Sequence, residues 1–171
     1  MVKKVIVITG TPGVGKSTLA KIVASRLKLE RLDLSQYYNK ISTRYNRKKH
    51  CYDVDRTKFI ALVKSKLKES EKGLIIDSHI AHLLPKRMVD LCIVLICSNL
   101  TLLQRRLNKR GYSQKKIREN LDAEIFQVCL LEAKEKGHKV VVVDGCTFSS
   151  KKMITQIWPA LKNLGKKRTL S

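Results

Sequence analysis

Aromatic residues make up only 5% of the 171 positions, and proline occurs three times. A core so poor in rings must be filled by aliphatic side chains, and no Pro/Gly-rich linker divides the chain into domains. The five cysteines, at 51, 92, 97, 129 and 146, form no C-x-x-C pair and are odd in number. That spacing argues against a zinc site or a disulfide framework and predicts reduced thiols, several of them buried. Long apolar runs are missing as well. The longest, Leu91 to Cys97, has the length of a strand, far short of the roughly 20 residues that a spanning helix needs. Met1 leads directly into Val2-Lys3-Lys4-Val5-Ile6-Val7-Ile8, without the small-residue cleavage site of a signal peptide. The expectation is a protein with no membrane association, cytoplasmic, or nuclear in a eukaryotic source.

Acidic residues are also scarce. Against 36 Lys and Arg stand 14 Asp and Glu, giving a net charge of +22 and a pI of about 10.1. A solvated basic surface without a partner is the plainer reading of a moderate excess. At this magnitude the field predicts polyanionic partners such as RNA, DNA or small phosphates. No RNA-binding motif and no aromatic platform accompanies the charge, so nonspecific attraction to phosphate is all that it implies.

What is present is an alternation of short β-branched runs and longer periodic segments. Strands are predicted at 2–9, 29–32, 74–77, 91–97 and 139–144. Helices are predicted at 16–27, 55–70, 99–109, 114–136 and 150–163, and the basic tail 165–171 is expected to fray. Strands separated by helices imply a parallel sheet with right-handed crossovers and helices on both faces. The fold class is therefore α/β: a three-layer phosphate-loop NTPase or nucleoside-monophosphate-kinase fold on a mostly parallel five-stranded sheet, with residues 1–171 as a single domain.

The strongest motif is Gly10-Thr11-Pro12-Gly13-Val14-Gly15-Lys16-Ser17-Thr18, which satisfies G-x-x-x-x-G-K-[ST] and lies between a predicted strand and a predicted helix. The glycines let successive N–H groups turn toward one set of phosphate oxygens, and the helix opening near Lys16 adds its positive end. Lys16 is expected on the β- and γ-phosphates, and the Ser17 hydroxyl on magnesium. A partner acid belongs at the end of another core strand, where Asp77 stands; Asp53, Asp55 and Asp144 compete for that role. The cofactors expected on this basis are ATP and Mg²⁺.

No N-K-x-D guanine-reading motif follows, which argues against a GTPase, and the chain is short for a helicase or transporter motor. The compact monophosphate-kinase group remains. Within it the phosphate loop, Asp77-Ser78-His79, Arg110-Gly111-Tyr112-Ser113-Gln114-Lys115-Lys116-Ile117 and Ala123-Glu124-Ile125-Phe126 occur in order. Together they resemble the atypical adenylate kinase family of archaea and eukaryotic nuclei, the isoenzyme-six type, over about residues 3–145. The resemblance implies an ATPase and weak adenylate kinase, converting ATP and AMP to ADP, that assists small-subunit ribosome maturation beside a platform ribosomal protein. It implies phosphate contacts from Gly13, Gly15, Lys16, Ser17 and Thr18, and roles in ATP turnover for Asp77 and His79. It also makes Arg110 the arginine of a lid at 109–119 and places a monophosphate-binding flap at 33–55.

Taken alone, a histidine two residues past a strand is a polar loop residue; the resemblance is what assigns His79 a role. His82 has no such support. Arg106, one turn before Arg110, reads equally as a second phosphate ligand or as a solvated helix residue. The flap departs from the family pattern. It runs Leu32-Asp33-Leu34-Ser35-Gln36-Tyr37-Tyr38-Asn39-Lys40 and then to Arg44 and Arg47-Lys48-Lys49, with no arginine at the expected place. Lys40 or Arg44 are the available substitutes, and the basic flap favours contact with rRNA. The rival readings are a metabolic small-molecule kinase and an assembly chaperone switched by its nucleotide.

Overall fold

The computed structural model describes residues 3–46, 51–147 and 149–164. The predicted basic tail and the flap residues Arg47, Lys48 and Lys49 lie outside these. Five strands form one parallel sheet: β1 (Lys4–Thr9), β2 (Glu30–Asp33), β5 (Gly73–Asp77), β6 (Leu91–Ile96) and β7 (Val140–Asp144), in the order β2-β5-β1-β6-β7. The central strands are apolar along their length because both faces are covered. On β1, Ile6 and Ile8 enter one apolar cluster, with Leu19 of α1 (Lys16–Leu27), Leu103 of α4 (Leu100–Lys109) and Ile154 of α7 (Ser150–Asn163). Val5 and Val7 enter the other, with Phe59 and Val63 of α3 (Arg56–Glu69). Each large side chain buried this way contributes about 1.5–3 kcal/mol against the entropy of ordering the chain. Three layers result, as the alternation predicts.

Strand order places the first crossover on one side of β1 and β6 on its other side. The carboxyl ends of β1, β5 and β6 therefore surround a crevice at the point where the winding reverses, the usual location of a ligand in such sheets. Between β2 and α3 the chain makes a 3-10 turn (Leu34–Tyr37), the short helix α2 (Tyr38–Ile41) and an antiparallel hairpin of β3 (Ser42–Asn46) and β4 (Cys51–Val54). This hairpin has no counterpart among the predicted elements.

Two expectations are corrected. The single helix predicted over 114–136 is two: α5 (Gln114–Ile125) and α6 (Val128–Glu135), separated by Gln127 in the left-handed region at φ 49°. The break reverses the direction of packing. Ile117 of α5 belongs to the first apolar cluster, whereas Leu130 and Ala133 of α6 belong to the second. One straight helix cannot serve both faces of the sheet. The cysteines are not all reduced either. Cys97 and Cys146 form a disulfide, because β6 and β7 are neighbours in register (Ile96 opposite Asp144) and bring the two Cα atoms to 5.0 Å. Cys92 and Cys129 are free thiols. Among the described residues no helix is long and apolar enough to cross a membrane.

Candidate functional site

The phosphate loop follows β1 and opens α1. Gly10, Gly13 and Gly15 all have positive φ, at 137°, 94° and 105°. A Cβ on Gly10 would lie 2.2 Å from the Leu95 carbonyl oxygen, and one on Gly13 would lie 2.8 Å from Leu103. Packing against backbone as well as dihedral thus requires glycine at Gly10, and dihedral favours it at Gly13 and Gly15. Gly15 caps α1 with no side-chain hydrogen bond, so the first N–H groups of that helix are left to a ligand.

Lys16 is half-buried, and its Nζ donates to the Thr11 carbonyl at 2.9 Å across the loop. Burial lowers its pKa to about 8, against the opposing pull of Asp77. Ser17 and Thr18 are exposed on the first turn of α1. Ser17 lines the same cavity as Asp77. A hydroxyl and a carboxylate are hard oxygen donors of the kind that share Mg²⁺ with phosphate, so these residues fit that ion. Among the described residues no group of three or more His, Cys, Asp or Glu could hold a metal by itself.

Asp77 ends β5 and is buried. Its Oδ2 accepts from Arg31 Nη2 at 2.6 Å and from Nε at 3.2 Å, and Arg31 also bonds Asp33 at 2.8 Å. No motif or spacing in the sequence marks Arg31. The β2/β5 register, Arg31 opposite Ile75 and Asp33 opposite Asp77, is what places it there, and register is a tertiary property. The competing acids have local duties. Asp55 caps α3 through the N–H groups of Thr57 and Lys58, and Asp144 holds the turn at 144–147 through Ser98, Cys146 and Thr147.

His79 lies two residues beyond Asp77 and opens onto the cavity. Surrounding protein desolvates the ring, and the charges of Lys16, His82 and Lys116 oppose a proton on it, lowering its pKa to about 4. It is neutral at physiological pH. Beneath it, buried His82 bonds Thr9 Oγ1 at 2.8 Å and Glu132 at 2.7 Å, while Thr9 Oγ1 donates to the His79 carbonyl at 3.2 Å. His82 thus supports the loop that carries His79.

Arg110 caps α4 and lines two cavities that meet at the phosphate loop. One, of about 620 Å³, runs past Gly13, Gly15, Thr18, Arg106 and Gly145. The other, of about 850 Å³, holds Lys16, Ser17, Asp77, His79, Tyr38 and Lys116. All the residues predicted for the site therefore line one or both of these cavities. Arg106 is more than a solvated helix residue: its Nη1 donates to the Gly13 carbonyl at 3.1 Å and to Cys146 Sγ at 3.3 Å. Glu124, part of the motif at 123–126, also braces the loop although the sequence gives it no role of its own. It is buried, accepts from the Cys97 N–H and bonds the Thr11 hydroxyl, and burial raises its pKa. The available signal was an acid in the apolar series Ile117, Leu121, Glu124, where helical spacing demands a core residue.

The AAA domain family matches residues 6–127. A Schizosaccharomyces pombe protein described as an adenylate kinase isoenzyme 6 homolog is 40% identical over 141 residues, covering 81% of this chain and 79% of that protein. A Caenorhabditis elegans protein of the same description is 35% identical over 139 residues, covering 80% and 76%. Among solved structures, shikimate kinase from Bacteroides thetaiotaomicron superposes with a TM-score of 0.63 at 15% identity, over 93% of this chain and 98% of that one, a likeness of fold alone. Identity of the extent seen with the yeast and nematode proteins, over most of both chains, shows that this protein belongs to the adenylate kinase isoenzyme 6 family.

Proposed function

We propose that the protein is an ATP-dependent adenylate kinase and ATPase that transfers the γ-phosphoryl group of ATP to AMP or to water, and that it acts in maturation of the small ribosomal subunit. The observation that carries the enzymatic part is the junction of the two cavities at the phosphate loop, with Arg110 lining both. A donor nucleotide in the smaller cavity and an acceptor in the larger would meet in line at the loop. Names of relatives support the choice of chemistry, since they are described as adenylate kinase isoenzyme 6 homologs.

In this reading the loop N–H groups and Lys16 hold the triphosphate. Arg110, on the 109–119 lid, neutralises charge as the phosphoryl group moves. Ser17 and Asp77 would hold Mg²⁺, which when bound screens the phosphate charge. Neutral His79 orients the acceptor or a water, because phosphoryl transfer depends on orientation more than on a strong base. Residues 33–55 form the acceptor flap. The net charge of +22 supports rRNA as a partner, and the family resemblance supports a small-subunit ribosomal protein, in the cytoplasm or, in a eukaryote, the nucleus. A steady-state assay with ATP alone, with AMP added, and with rRNA or ribosomal protein added tests the proposal. Formation of ADP stimulated by AMP and by the ribosomal component is expected. Absence of turnover in all three arms would refute it.

A further inference from the structure

β2 and β5 run side by side in parallel, with Arg31 opposite Ile75 and Asp33 opposite Asp77. Residues in one row of a sheet, and residues two apart on a strand, share a face. Arg31, Asp33 and Asp77 therefore project from the same side. Arg31 stands two residues below the row of the two acids, about 6.6 Å along the strand, a distance that an arginine side chain spans. Its Nε and Nη2 both donate to Asp77 Oδ2, at 3.2 and 2.6 Å, and Nη2 also donates to Asp33 Oδ2 at 2.8 Å. A guanidinium only donates and an ionised carboxylate only accepts, which fixes the direction of all three bonds. Among the described residues Asp77 Oδ1 takes no protein donor, and Asp77 borders the larger cavity together with Ser17. Asp33 is held through its other oxygen as well: Oδ1 accepts from the Ser35 N–H at 3.1 Å and from the Ser35 hydroxyl at 2.6 Å.

We propose that Arg31 is a positioning residue for Asp77: by occupying Oδ2 it holds Oδ1 toward the phosphate loop and so sets the carboxylate for Mg²⁺ bound with the triphosphate. The proposal rests on the reading of Asp77 as a magnesium residue. The last torsion of an aspartate is broad, so burial of Asp77 does not by itself choose which oxygen faces the cavity. Two N–H groups converging on Oδ2 make that choice, and the fork of a guanidinium supplies them where a single ammonium does not. The bond to Asp33 holds the guanidinium in turn, and Asp33 caps the 3-10 turn Leu34–Tyr37. The brace thus runs from the first turn of the acceptor flap to the acid at the end of β5. A cation near a metal site also repels the metal, which is the opposite effect. Repulsion from a charge already paired with two carboxylates is largely cancelled, whereas partners that orient a ligand support metal affinity about 10- to 100-fold. Orientation outweighs repulsion here.

The test is titration calorimetry with a non-hydrolysable ATP analogue, in Mg²⁺ and in EDTA; the ratio of the two affinities is the magnesium-dependent gain. Arg31→Met keeps the apolar stem and removes every donor. Its gain is expected to be about 10-fold smaller than in the wild type, with affinity in EDTA within about twofold. Arg31→Lys, with the charge but not the fork, is expected to lose about threefold of the gain. A residue that only braced the fold would lower the affinity in EDTA as well and leave the gain unchanged. A wild-type or larger gain in Arg31→Met overturns the proposal; if that variant does not fold, an unchanged gain in Arg31→Lys does so. Asp77→Asn separates the two readings. Loss of the gain in Asp77→Asn with none in Arg31→Met refutes the role of Arg31 alone. A wild-type gain in Asp77→Asn removes Asp77 from the magnesium site, and the proposal with it.

Discussion

Lys16 has to be charged to hold phosphate, yet its surroundings lower its pKa to about 8. Desolvation favours the neutral amine, and an anionic ligand reverses that preference. The sign of the pH dependence follows. Below pH 8 the free site already carries the proton, and affinity for a triphosphate is flat. Above it, binding must draw a proton from solution, and affinity falls by up to about tenfold for each further pH unit. Calorimetry in buffers of different ionisation enthalpy should show near-zero proton uptake at neutral pH and about one proton per site well above pH 8. Absence of uptake there would contradict the assignment. For His79, a pKa near 4 in the free protein predicts no inflection in kcat/KM around the usual histidine value, with loss only as the ring gains its proton in acid. His79→Ala should leave ATP affinity within about twofold and lower kcat by about 100-fold or more; normal turnover would remove the residue from the mechanism. At this scale the phosphate loop was legible because its glycine spacing encodes backbone geometry directly. Arg31 was not, since its contact with Asp77 depends on how β2 pairs with β5.

Elements were legible where one face of a period stays in one environment. β1, β5, β6 and α1 fall within a residue or two of their expected bounds. The helix over 114–136 failed because apolar spacing continues through Ile125, Phe126 and Val128, although Ile125 and Phe126 are exposed at a change of direction. Periodicity reports that a face is apolar; it does not report which side of the sheet the face covers. The same limit hid the Cys97–Cys146 disulfide, which joins the end of β6 to the turn after β7 across a separation of 49 residues. Closing a loop of that length restricts the unfolded chain, and Cys146→Ala should cost roughly 2–4 kcal/mol. Urea unfolding should show the lower midpoint, with an unchanged spectrum of secondary structure. An equal midpoint would mean that the thiols are reduced in the folded protein. Because Cys146 Sγ accepts from Arg106, which also holds the Gly13 carbonyl, the disulfide braces one wall of the phosphate loop as well.

For the whole molecule, charge and fold make separate contributions. The parallel sheet positions a crevice, whereas a net charge of +22 attracts polyanions over the whole surface. If rRNA is held by that field, its affinity should fall linearly with salt on logarithmic axes and depend little on sequence. A filter-binding series with unrelated RNAs of equal length measures both, and strong preference for one sequence would require a reader that the charge does not supply. The central claim is narrower: the loop from Gly10 to Thr18, with Lys16 at its end, is where a magnesium nucleoside triphosphate binds. Its most direct test is titration calorimetry of the wild type and Lys16→Ala with a non-hydrolysable ATP analogue and Mg²⁺. The account predicts one site per chain in the wild type and a loss of about 100-fold or more in affinity for the variant. Equal affinity in the two proteins would contradict it.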